Sequence, residues 1–108
     1  MKRPLKRVAV TGLGVVSCGG VGKKEFWSTL SQGRSQIRHI TRFDTSAMPV
    51  KIAGEIRDFH AESYLAAEVV AGLDHVSIYA AVASRLALDD SGLDLEGMEP
   101  GSLGLCLG

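Results

Sequence analysis

RVAVTGLGVVSCGGVGKKEFWSTLSQGRSQIRHITRFD, from Arg7 to Asp44, reads in succession as a strand, a glycine-rich turn and a tryptophan-bearing helix. Val8, Ala9, Val10 and Thr11 form a short apolar, β-branched run that stops at Gly12, the pattern of a strand buried on both faces. Glycines at 12, 14, 19, 20 and 22 then crowd the connection, where they allow positive φ and close backbone approach. Phe26, Trp27 and Leu30 give a short helix over Lys23 to Ser31 one apolar face, with Trp27 in the core and Gly33 ending the helix.

The same glycines invite comparison with phosphate-binding loops, and neither pattern is met. The dinucleotide fingerprint wants a third glycine where Ser17 stands. The triphosphate loop wants Ser or Thr after Gly22-Lys23, where Lys24 follows, and a glycine where Ser17 stands. A tight strand-to-helix turn is the expectation.

Working outward, Arg34, Arg38 and Arg42 recur every four residues. Gly33 before them and the isoleucines among them indicate an extended loop rather than a basic helical stripe. Such arginines are either a solvated, locally paired set or a cationic rim that steers an acidic partner. Val50 to Ile56 alternates apolar and mostly polar residues, as an extended segment with one covered face does, and it needs a partner. After a polar bridge, Asp74 caps a long helix running to about Ser91, with Gly92 as its stop. Val76, Ile78, Tyr79, Val82, Leu86 and Leu88, with four alanines between Ala80 and Ala87, give that helix too much apolar surface for one stripe. Following the Glu99-Pro100-Gly101 turn, Leu103 to Leu107 is a continuous apolar strand, expected to run parallel to the first.

Composition bounds the function classes. With 45% hydrophobic and 22% charged residues, the 108-residue chain is globular rather than disordered. The formal net charge of +0 provides no field for nucleic acid or an anionic membrane. No apolar run approaches the roughly 20 residues that span a bilayer, and the first residues lack the apolar core of a signal peptide, so a cytoplasmic protein is expected. Cys18 and Cys106 are far apart and outside any CxxC pair, which supports neither a disulfide framework nor a zinc site. Both read as small buried hydrophobes in a reducing compartment.

The series VTGLGVVS, FWSTL, GRSQIRHITRFDTS, KIAGEIRDF, LDHVSIYA, DDSGLDL and LGLCLG resembles the start of a β-ketoacyl synthase, and together these motifs cover nearly the whole chain. The resemblance implies an α/β fold: residues 1–108 as the N-terminal part of a thiolase-like αβαβα sandwich, incomplete in this chain and without a complete second domain. It implies an acyltransferase that carries out decarboxylative Claisen condensation of acyl and malonyl thioesters on acyl carrier protein, in fatty acid or polyketide synthesis. Implied partners are acyl carrier protein, the thioester substrates, the remaining ketosynthase polypeptide and a second subunit, in a homodimer or a ketosynthase heterodimer. No cofactor is implied.

The family's chemistry uses a cysteine nucleophile and two histidines that lie well beyond residue 108. Neither Cys18 nor Cys106 matches the family's nucleophile position, and His39, His60 and His75 match no catalytic histidine of the family. No catalytic, cofactor-binding or metal residue is therefore assigned here. His39 and His60 fall in polar connections and His75 in the first turn of the long helix, where solvent-facing or locally bonded imidazoles are expected. One departure matters: relatives commonly carry arginines and lysines just before the long helix, where this chain has LAAEVVAGLDH from Leu65 to His75. Weakened electrostatic recruitment of an acidic carrier protein fits a second reading, a non-catalytic chain-length-factor-like partner subunit of a type II polyketide synthase.

Overall fold

The structure, a computed structural model, describes residues 4–108. Its elements in chain order are β1 (Val16–Ser17), β2 (Gly20–Val21), α1 (Lys23–Ser31), β3 (Arg38–His39) and β4 (Ile52–Ala53). A single 3-10 turn at Ala61–Ser63, α2 (Ala67–Ala71) and α3 (His75–Ser91) complete them. The fold is mixed helix and strand, with two separate antiparallel pairs. Val16 faces Val21 in the first, and Arg38 faces Ala53 in the second.

Local chemistry accounts for the helix ends. Asp74 accepts a hydrogen bond from the Ser77 amide at 2.7 Å, satisfying one of the donors the first turn of α3 leaves free. Gly92 closes α3 at φ 66, a left-handed position that a side chain would resist. Both ends are where the sequence puts them, and α1 also spans the expected residues. Two short elements were not anticipated. The β1–β2 hairpin turns through Cys18 and Gly19, and α2 occupies part of the supposed polar bridge. The Ala-Glu-Val-Val-Ala run of good helix formers before Gly72 is the signal that could have exposed α2.

The segment around β4 finds its partner in β3, from the arginine-bearing loop, and the Ile40 amide extends this pairing by donating to the Lys51 carbonyl at 2.9 Å. The two hairpins meet where Cys18 lies under Gly54: a Cβ added at Gly54 would stand 2.8 Å from the Cys18 sulfur.

Gly12 and Gly14 serve close approach to a helix. A Cβ at Gly14 would come within 1.9 Å of the Ala83 carbonyl oxygen, and one at Gly12 within 2.1 Å of the Ala87 oxygen. Small residues on both sides let this segment lie directly on the α3 backbone. The Leu13 amide then donates to Asp90, which also pairs with Lys23 at the start of α1. On another flank of α3, Ile78 and fully buried Val82 pack with Ala61, with Val16, Phe59, Tyr64, Leu65, Val70 and Leu86 around them. Helix α3 is thus covered on more than one side, as its composition requires, although Val76 remains 77% exposed.

Four expectations are overturned. Val8 to Thr11 and Leu103 to Leu107 are not strands and are not paired with each other, in parallel or otherwise. Val8, Val10, Leu105 and Leu107 are all exposed, Val8 at 92%. A strand exists only through a hydrogen-bonding neighbour, and no described residue supplies one to either segment. Trp27 is also not core, being 68% exposed. Helix α1 turns Phe26 and buried Thr29 toward the β1–β2 hairpin, which leaves Trp27 and Leu30 outward. Cys106 is exposed rather than buried, for the same reason as its neighbours, while Cys18 is half-buried.

These exposures accumulate. The accessible surface is 8987 Å², against roughly 5,800 Å² for a compact monomer of this mass. The radius of gyration is 18.0 Å, where about 13 Å is usual for this length. The only buried apolar residues are Ala61, Ile78 and Val82 among those described.

Candidate functional site

The best-formed concavity is a polar cavity of about 370 Å³ between the β1–β2 hairpin, the end of α1 and the segment from Glu55 to Tyr64. Cys18 and His60 both line it, yet no hydrogen bond joins them. The nearby Ser17 hydroxyl is consumed locally, accepting from the Gly19 amide at 3.1 Å and donating to the Gly20 carbonyl at 3.2 Å.

The other candidate residues are scattered. Cys106 is exposed in the last residues. His39 is exposed in β3, His60 precedes the 3-10 turn, and His75 opens α3 with its ring 6.3 Å from that of Tyr79. Among the described residues no three metal-ligating side chains cluster, and no helix is long and apolar enough to cross a membrane.

The arginine triplet divides. Arg42 donates to the Ile56 carbonyl at 2.9 Å and to the Tyr79 hydroxyl at 3.2 Å, tying the loop after β3 to α3. The Tyr79 hydroxyl holds the Arg42 pKa above its ordinary value. The Arg34 guanidinium makes only a long contact to the Thr29 hydroxyl, at 3.5 Å, and Arg38 has no carboxylate partner among the described residues. Sequence periodicity could not separate these roles, because the separation depends on Tyr79, 37 residues further along.

Glu55 organises the same region, with its side chain only 7% exposed. Its carboxylate accepts from the Thr41 amide at 3.0 Å, the Thr41 hydroxyl at 3.0 Å and the Arg42 amide at 3.1 Å. Arg57 adds an ion pair at 2.9 Å and reaches the His39 carbonyl at the same distance. The Thr41 amide is the chief reason its carboxyl is held below the usual range. Nothing in the sequence marked Glu55, since Thr41 and Arg42, which supply most of its hydrogen bonds, come from another segment.

Asp74 and Asp90 also titrate low for structural reasons. The Ser77 amide lowers Asp74, and Lys23 with the Leu13 amide lowers Asp90. Both groups hold elements together rather than face a cavity. The described residues provide a scaffold, a polar cavity and uncovered apolar segments.

The chain belongs to the β-ketoacyl synthase family: the family model "Beta-ketoacyl synthase, N-terminal domain" matches residues 5–108. Among its relatives, a granaticin polyketide putative β-ketoacyl synthase 1 from Streptomyces violaceoruber is 43% identical over 104 residues, covering 95% of this chain and 24% of the relative. A 3-oxoacyl-[acyl-carrier-protein] synthase 2 from Coxiella burnetii is 37% identical, covering 95% of this chain and 25% of its own length. The tetracenomycin polyketide synthase ketoacyl synthase beta subunit from Streptomyces glaucescens is 38% identical over 98 residues, covering 91% of this chain and 24% of the relative. Among solved structures, the ishigamide ketosynthase/chain length factor superposes with a TM-score of 0.73 at 37% identity, covering 81% of this chain and 22% of that one. The chain thus spans about a quarter of the length of the curated relatives it matches.

Proposed function

We propose that residues 1–108 are the N-terminal segment of a ketosynthase N-terminal domain, the first part of a thiolase-like αβαβα sandwich. The assembled protein condenses acyl and malonyl thioesters carried on acyl carrier protein, in fatty acid or polyketide synthesis in the cytoplasm. A cysteine thiolate outside these residues takes the acyl group from its carrier thioester. Loss of carbon dioxide from the malonyl thioester leaves an enolate, which attacks the acyl carbonyl, forms the new carbon–carbon bond and expels the cysteine thiolate. Histidines or backbone amides placed against the developing oxyanion supply the stabilisation.

The observation that carries this reading is the family match across residues 5–108 in a chain whose described residues leave Val8, Val10, Leu105 and Leu107 uncovered. In a sandwich, those segments are where parallel strands with apolar faces belong. Residues 4–108 contribute scaffold: Gly12 and Gly14 on α3, the caps of α3, and the Glu55 cluster.

A second reading is favoured by one specific feature. The stretch Leu65 to His75, containing α2, has no arginine or lysine and two acidic residues, Glu68 and Asp74. A surface of that kind recruits an acidic carrier protein weakly, as suits a chain-length-factor-like subunit paired with a catalytic ketosynthase. Similarity to the tetracenomycin beta subunit and to the ishigamide complex supports the same alternative.

The test is condensation of a radiolabelled malonyl carrier protein with an acyl carrier protein by the full-length protein, alone and with a ketosynthase partner. Product from the protein alone supports the enzyme. Product only with a partner, blocked by alkylating the partner's cysteine, supports the second reading. No product in either arrangement counts against both.

A further inference from the structure

We propose that the corner between α2 and α3 is a docking surface for a cationic amphipathic helix of a partner protein. The proposal goes beyond the condensation reading and does not rest on it, since no residue of this corner takes part in that chemistry.

Charge is divided along the chain. Eleven of the 12 lysines and arginines lie at or before Arg57, and the twelfth is Arg85. The 27 residues between those two arginines carry Asp58, Glu62, Glu68 and Asp74 and no lysine or arginine. A neutral total thus conceals a wholly acidic stretch. Asp58 lines the polar cavity, and the other three border the corner: Glu62 in the 3-10 turn that packs against α2, Glu68 in α2 and Asp74 at the cap of α3. Glu62 and Glu68 form no ion pair among the described residues. The two arginines that share a wall with His75 are engaged elsewhere, Arg42 with Ile56 and Tyr79, and Arg57 with Glu55 and His39.

The same corner exposes apolar side chains. Val70 packs onto the core of Ala61, Ile78 and Val82, whereas Val69 is 47%, Leu73 38% and Val76 77% exposed. The Gly72 amide donates to the Val69 carbonyl and the Leu73 amide to the Val70 carbonyl, so the connection is compact and shows these groups from one short stretch. Apolar groups within a charged rim are the composition of a recognition surface, and an amphipathic helix is the element that meets both. Unopposed carboxylates decide the sign of the partner. An acidic carrier protein, nucleic acid and an anionic membrane are repelled, while leucines flanked by lysines or arginines are attracted.

The probe is a fluorescent helical peptide of leucine and lysine in amphipathic order, roughly five turns long, titrated by anisotropy with the full-length protein at low ionic strength. It should bind, and versions with glutamate for lysine, or shuffled to erase the apolar face, should not. Glu62→Gln with Glu68→Gln should weaken binding about fivefold and reduce its salt dependence. Val69→Ser with Val76→Ser should weaken it about tenfold. Val50→Ser with Ile52→Ser, at positions 60% and 52% exposed in the β3–β4 hairpin, should leave it unchanged.

No binding by the parent protein, equal binding of the shuffled or glutamate peptide, or an equal loss in the hairpin variant would overturn the proposal. Three other results would give the surface to a different occupant and overturn it as well. The first is self-association of the full-length protein that Val69→Ser with Val76→Ser abolishes, which names a second copy. The second is a Val76→Cys thiol that mass spectrometry finds blocked to maleimide until the full-length protein unfolds, which names the rest of the polypeptide. The third is binding of acyl carrier protein that the same two serine substitutions weaken.

Discussion

Replacing Gly14 with alanine tests how the glycine turn is seated on α3. The added Cβ would lie 1.9 Å from the Ala83 carbonyl oxygen and 2.7 Å from the Ala87 nitrogen, both backbone atoms that no rotamer change can move. Restoring even a 3.0 Å separation requires the segment and the helix to part by about 1.1 Å. Parting them strains the Leu13–Asp90 hydrogen bond and the Lys23–Asp90 ion pair that lie beside the contact. Overpacking a well-filled site costs about 1–3 kcal/mol, and a clash against backbone on both sides belongs at the upper end. About 3 kcal/mol corresponds to roughly a hundredfold loss of amide protection if the affected helix opens locally. Hydrogen exchange resolved along α3 is the assay, with Gly104→Ala as control, since a Cβ there meets nothing within 4 Å. Unchanged protection from Ala83 to Ser91 in Gly14→Ala, or an equal loss in Gly104→Ala, would refute the packing argument.

Other consequences follow from the same coordinates. Val82 is fully buried, so Val82→Ala should cost about 2 kcal/mol through lost burial and a residual cavity. Val76→Ala, at a 77% exposed position on the same helix, should change stability by less than about 0.5 kcal/mol; comparable exchange losses in the two variants would contradict the assigned core. Asp74→Ala should fray the first turn of α3, seen as faster exchange at the Ser77 amide, whereas Asp74→Asn should largely preserve it because asparagine also caps. Glu55 is held below its ordinary carboxylate value in the folded chain, so its contribution is complete above the unfolded value near about 4.3 and is lost as pH falls through the lower folded value. Protection factors of the Thr41 and Arg42 amides should fall across that acidic window, and Glu55→Gln should flatten the dependence; a pH-independent parent protein would remove Glu55 as the organising group.

Sequence and structure agree where the determinants are local. Asp74 and Gly92 delimit α3 because a cap and a left-handed stop act within a few residues of themselves. Gly33, just past the C-cap Gln32, ends α1 at φ 63 for a similar reason. The extended segment around Ile52 was legible from alternation, while its partner Arg38–His39 was hidden inside what looked like a basic loop. Disagreement concentrates where an element needs long-range partners. Val8 to Thr11 and Leu103 to Leu107 have strand composition, but composition cannot supply the neighbour whose carbonyls and amides make a strand. Trp27 was assigned to the core from its apolar face, whereas the hairpin beneath α1 takes Phe26 and Thr29 instead. The cavity and the Glu55 cluster were illegible for a related reason. Each assembles groups from several segments, and the spacing between Thr41 and Glu55 carries no motif.

The described residues leave the apolar surface of residues 8–11 and 103–107 uncovered. Chemical and thermal unfolding of a polypeptide comprising residues 1–108 alone, with its association state followed by sedimentation, tests this most directly. Broad, non-cooperative unfolding with self-association is the predicted result. A sharp two-state transition from a monodisperse monomer would contradict it.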